Sequence, residues 1–234
     1  MQVGRFRTFV EQYDGAPEPG AGAHPFIEGS GWDSDWDNFI APDSALLKEG
    51  LRCDPVYATW TESGGEYVNR PINCVTWYEA FAFCAWDGGR LPTEQEWEYV
   101  AAGGEFNQLY PWGSDAPTQS LASYDCLFDG TVGCNNADLP DVGSLPAGAA
   151  RWNHLDMSGG VYEWTLDSFV PDWYSGEGSD CQNCANLIRG SQRVIRGGSF
   201  SHTTPRLRAA SRDDAAPSDR TNFIGFRCAR DFER

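Results

Sequence analysis

The sequence predicts an α+β fold that is irregular and rich in loops, with short helices and short antiparallel strands. Three observations point to it. Aromatic residues make up 14% of the 234 residues and include 10 tryptophans, so large rings must find partners in a core. The chain also carries 26 glycines and 14 prolines, which interrupt regular elements and force those rings to pack among turns. Finally, two capping signatures lie close together near the middle, and each predicts a helix of only two or three turns.

The elements follow in order. In VGRFRTFVEQY, Val3, Phe6, Phe9 and Val10 recur at helical spacing and predict an amphipathic helix. Residues 14–50 are rich in Gly, Pro and Asp and are expected to form a long surface loop, pinned by Trp32, Trp36 and Phe39. TWYEAFAFCAWDGG places Thr76 three residues before Glu79, the pattern in which a hydroxyl and a carboxylate cap the free amides of a first turn. The same grammar returns at Thr93 and Glu96 in PTEQEWEYVAAGG, with Trp97, Val100 and Ala101 as the buried stripe. Beyond Trp112 the chain is turn-rich, and VYEWTLDSF, RVIRGGSF and NFIGFRCAR then have the β-branched and aromatic content of strands.

The formal charge of −17 excludes a nucleic-acid partner, because a phosphate backbone would be repelled at long range. No window reaches the roughly 18 apolar residues of a membrane-spanning helix. Eight cysteines, an even number, predict a disulfide framework and an oxidising compartment. Localisation is therefore expected to be extracytoplasmic, with the signal lying outside this chain, since QVGRFRTFV lacks the apolar run of a signal peptide.

GRLPTEQEWEYVAAGG, YPWG, LDMSGGVYEWT, RVIRGGSF and GFRCAR follow one another in an order and spacing that resemble the formylglycine-generating enzyme family, the sulfatase-modifying-factor domain. The resemblance runs from Val3 over nearly the whole chain and implies one domain over residues 1–234 with a C-type-lectin-like fold, without the family's opening strands. Aerobic members carry two cysteines after RGGSF that hold copper(I) and meet the substrate thiol. Soft copper(I) requires sulfur, yet Ser199 to Arg227 contains no cysteine, so copper is not expected and no catalytic residue is assigned.

By the same resemblance Cys84 and Cys228 form a disulfide between the FAFCAW helix and the last strand. Sequence proximity alone suggests Cys53 with Cys74, Cys126 with Cys134, and Cys181 with Cys184. LDMSGGVYEW resembles the family's calcium loop, which assigns a structural calcium ion to Asp156, Gly159, Val161 and Glu163; hard oxygens and a double-glycine turn suit that ion. Arg196, Ser199, His202 and Arg208 form a candidate ligand groove, although internal pairing with acidic residues competes for the arginines. His24, His154 and His202 are the only histidines, and none stands in a metal-binding pattern that would suit an iron centre like that of the related sulfoxide synthases.

Two functions are compatible with these residues. One is a pseudoenzyme, a calcium-stabilised binding or scaffold module whose ligand is a protein, a peptide or a small molecule. The other is an oxidoreductase of the same superfamily with its redox metal elsewhere.

Overall fold

The computed structural model describes residues 1–180 and 182–231. Helix α1 (Val3–Glu11) buries Val3, Phe6, Phe9 and Val10, the face its periodicity marks. Helix α2 (Ser44–Gly50) interrupts the stretch expected to be loop. Asp43 caps it by accepting from the amides of Ala45 and Leu46, and Leu47 anchors it. The long segment before it is nonetheless pinned as expected, with Trp32 5.7 Å from Phe81 and Trp36 5.0 Å from Trp77 between ring centroids.

Helices α3 (Trp77–Trp86) and α4 (Glu94–Ala101) each start at a complete capping box, Thr76 with Glu79 and Thr93 with Glu96. Every residue of α3 from Trp77 to Cys84 is buried, which makes it the central helix. Phe83 stacks on Phe6 at 5.3 Å and meets Phe226 edge-on at 5.3 Å, so the first helix, the central helix and the last strand share one aromatic core.

Four strands, β1 (Tyr162–Ser168), β2 (Arg193–Arg196), β3 (Arg212–Ala215) and β4 (Ile224–Phe226), form one sheet in the order β3-β2-β1-β4. The β1/β2 and β2/β3 pairs are antiparallel, but β4 runs parallel to β1. That last pairing departs from the expected all-antiparallel set. Its cause is the 216–223 connection, which carries the chain from one edge of the sheet to the other. Three inter-strand steps of about 4.8 Å are well within the reach of eight residues.

Three disulfides join described residues: Cys53–Cys74, Cys84–Cys228 and Cys126–Cys134. The Cys181–Cys184 pairing lies outside the described residues, because Cys181 is not among them.

Candidate functional site

Strand β2 ends at Arg196, and Gly197 and Gly198, with φ of +96° and +74°, turn the chain sharply into Ser199 and Phe200. Ser199 is fully buried, and its Oγ lies 2.7 Å from Nδ1 of His202. The His202 ring packs edge-on against Tyr162 at 5.0 Å and Phe223 at 5.4 Å. Burial lowers its pKa, so the imidazole stays neutral over a wider pH range. Asp213 is spoken for elsewhere: its Oδ2 accepts from the Tyr162 hydroxyl at 3.1 Å and pairs with Arg206 at 3.0 Å. Among the described residues no carboxylate hydrogen-bonds to the His202 ring, so the pair lacks the orienting acid of an activated serine. The backbone behind this turn is fixed from the 125–126 segment, where the Asp125 amide donates to the His202 carbonyl and the Cys126 amide to the Phe200 carbonyl.

The proposed groove of Arg196, Ser199, His202 and Arg208 does not assemble. Arg196 is completely buried, donates to Glu98 at 2.5 Å and to the Ala209 and Ser211 carbonyls, lies 3.6 Å from Glu94, and sits 5.1 Å from the Trp97 ring. Arg208 is exposed. Arg212 grips Glu94 with two bonds of 2.6 and 2.8 Å while its guanidinium lies 5.1 Å from each of the Phe169 and Tyr174 rings. Apart from Arg208, these arginines serve the interior. A buried guanidinium needs a carboxylate, and Glu94 and Glu98 of α4 supply it.

The candidate calcium residues, by contrast, line one cavity of about 170 Å³. Asp156 has φ of +56° and accepts the Gly143 amide on Oδ2 at 2.7 Å. Burial raises its pKa, the mark of a carboxylate short of neutralisation. Gly159 is required by close packing as well as by its φ of +77°, since a Cβ there would lie 2.3 Å from the Ser123 carbonyl oxygen. Glu163 is held by three donors: Trp97 Nε1 at 2.7 Å and Arg227 Nε at 2.5 Å on one oxygen, and Arg227 Nη2 at 2.8 Å on the other. A calcium ion would sit among these residues beside Arg227, which lines the same cavity and lowers the Asp156 pKa against the effect of burial. Glu163 would join through lone pairs its arginine leaves open.

Sequence reading missed Arg227 and Trp97 as partners of Glu163, and it missed a buried carboxylate, Asp167. That group accepts the amides of Glu94 at 2.7 Å and Asn186 at 2.8 Å, and burial pushes its pKa up to about 7. Close by, Arg193 lies 3.9 Å from the Trp77 ring and 5.8 Å from that of Trp36. Its pKa is lowered to about 10 by burial. No local pattern marks Asp167, since the alternation of β1 puts it on the same face as Glu163 and Thr165 and only the fold buries that face.

The three histidines stay apart in role. His24 is buried 3.3 Å from Glu96, His202 binds Ser199, and His154 lines a wide cleft of about 730 Å³ beside Arg90, Trp97 and Arg230.

Comparison with known proteins agrees with this architecture. The family model for a sulfatase-modifying factor enzyme 1-like domain matches residues 4–232. A protein of Mus musculus named inactive C-alpha-formylglycine-generating enzyme 2 is 30% identical over 249 residues, 96% of this chain and 70% of that protein. The formylglycine-generating enzyme of the same organism is 34% identical over 207 residues, 85% of this chain but only 49% of the enzyme. Among solved structures, PvdO from Pseudomonas aeruginosa superposes with a TM-score of 0.60 at 29% identity, covering 75% of this chain and 67% of PvdO.

Proposed function

Since the chain belongs to the sulfatase-modifying factor enzyme 1-like domain family, we propose that it is a non-catalytic member, an extracytoplasmic binding or scaffold module stabilised by calcium. The observation that carries this reading is the turn after Gly197–Gly198. Where a copper(I) enzyme of this family would need thiolates, the chain offers Ser199, Ser201 and His202, and no cysteine occurs from Ser199 to Arg227. Hydroxyls and one imidazole do not make a soft, two-sulfur site. His202 is in addition engaged by Ser199 and packed between two rings. The similarity to a protein named as inactive supports the same reading. The three disulfides support an oxidising compartment.

Asp156 and Glu163, with the carbonyls of Gly159 and Val161, would hold the calcium ion. When bound, it would supply positive charge to a buried carboxylate and fasten the 156–163 turn to the sheet. Asp156 orients that turn in any case through the Gly143 amide.

The test is to load purified protein with copper(I) or iron(II) and follow oxygen uptake with a cysteine-containing peptide. This reading expects no stoichiometric retention of either metal and no uptake above the buffer rate. Retention of one metal per chain with thiol-dependent oxygen uptake would replace it with the second reading, an oxidoreductase of the superfamily, which the similarity to the mouse formylglycine-generating enzyme favours.

A further inference from the structure

The outward side of α4 carries a cleft that neither the family match nor the calcium loop accounts for. It measures about 300 Å³ and is lined by Tyr99, Tyr174, Glu98, Glu105 and Gly104 among others. No lysine, arginine or histidine among the described residues lines it. Glu105 is exposed and has no ion-pair partner among the described residues, whereas Glu98 shares its charge with the buried Arg196. Arg212, the cation behind Tyr174, is committed to Glu94. Two phenol rings and an uncompensated carboxylate around one small cleft make a site for a cation, which ring faces attract through their quadrupole and carboxylates through their charge.

The walls are built rather than accidental. Gly103 and Gly104, with φ of +70° and +66°, end α4 and start the 3₁₀ turn Gly104–Phe106, which turns Glu105 outward. A Cβ on Gly104 would lie 3.0 Å from both the Tyr99 and the Trp152 rings, so the glycine is what lets these rings close over the turn.

Beyond the cleft the surface continues as a row of flat groups. Tyr99 stacks on Trp152 at 5.3 Å and 14°, and Arg151 lies 5.1 Å from Trp152 and 4.2 Å from Phe106. Tyr99, Trp152 and Phe106 remain 55%, 40% and 64% exposed. A small free cation would have no use for this strip, whereas a peptide chain would lie along it. We propose that the cleft takes the ammonium group of a lysine side chain carried on a partner peptide, whose backbone follows the Tyr99–Trp152–Phe106 strip. The chain's charge of −17 would draw a basic peptide toward the protein.

This specifies a ligand for the binding-module reading, and the two fail separately. A chain that consumed oxygen yet bound the peptide would lose that reading and keep the cleft. The experiment titrates isotope-labelled full chain with a blocked Gly-Lys-Gly tripeptide, its norleucine counterpart and tetramethylammonium, following amide and aromatic resonances. The lysine peptide is expected to shift Tyr99, Gly104 and Glu105 saturably, more weakly as salt is raised, and the norleucine peptide to leave them in place. Glu105→Gln, at an exposed position, should keep the melting temperature and weaken binding about tenfold. Gly104→Ala should weaken it too by displacing Tyr99. The proposal is overturned by no saturable shift, by an equal response to norleucine, or by tetramethylammonium binding as tightly as the peptide.

Discussion

Arg227 holds Glu163 in a two-pronged grip, Nε on one carboxylate oxygen at 2.5 Å and Nη2 on the other at 2.8 Å. The parallel register that pairs Glu163 with Gly225 brings the two side chains together. Removing one charge of a largely buried pair leaves the other uncompensated. Glu163→Gln is therefore expected to lower stability by about 3 kcal/mol in denaturant unfolding even after chelation, and by more when calcium is present. A loss seen only in the presence of calcium would assign Glu163 to the ion rather than to Arg227.

Calcium itself is tested at Asp156, which accepts the Gly143 amide and makes no direct ion pair among the described residues. An ion that binds only the folded chain adds about 2.7 kcal/mol at a hundredfold excess over its Kd. Chelation is expected to lower the melting temperature of the native chain, and Asp156→Asn to remove most of that difference. Equal melting curves with calcium and after exhaustive chelation would remove the ion from the 156–163 turn.

Asp167 predicts a pH dependence whose sign is fixed by burial. Its pKa in the folded chain, about 7, lies above the ordinary carboxylate value, so the folded chain keeps a proton that the unfolded chain releases. That contribution is complete below the ordinary carboxylate pKa and is lost as pH rises through about 7, with a slope of up to about 1.4 kcal/mol per pH unit. Between about pH 5 and about pH 8 the native chain should lose stability relative to Asp167→Asn, whatever constant offset the variant carries. Parallel curves would mean that Asp167 is already ionised, balanced by Arg193.

The disulfides should differ in worth. Cys84–Cys228 spans 144 residues and Cys126–Cys134 only 8. On a chain-entropy account the long closure contributes about 5 kcal/mol and the short one about half of that. The double variant Cys84→Ala with Cys228→Ala should therefore lose clearly more stability than Cys126→Ala with Cys134→Ala. The shorter loop keeps its other closure, since Asp138 accepts the amides of Phe128 and Asn135 from its two ends. Equal losses would show that strain or packing, not loop length, sets the value.

What could be read in the sequence was local. The capping boxes at Thr76 and Thr93 fix α3 and α4 because cap and acceptor lie three residues apart, and α1 is fixed by one apolar stripe. Strand β3 reads Arg-Asp-Asp-Ala and has no strand propensity of its own; it exists because β2 supplies a ladder. Helix α2 was hidden by the Gly- and Pro-rich composition around it, although Asp43 stands at its cap. The site followed the same rule. Asp156 to Glu163 sit within one motif and share one cavity, while Arg227 lies 64 residues from Glu163 and Arg196 lies 98 from Glu98, so only the fold reveals those pairings.

The parallel pairing of β4 with β1 also sets the order of events during synthesis. Phe226, packed against Phe6 and Phe83, closes a core whose other two walls emerge from the ribosome far earlier. Until residue 226 is free, the first helix and the central helix must wait with their aromatic faces open and β1 with an unpaired edge. Folding of this domain is therefore complete only once residue 226 has emerged, and a nascent chain stalled before that point would present its stickiest surface to chaperones.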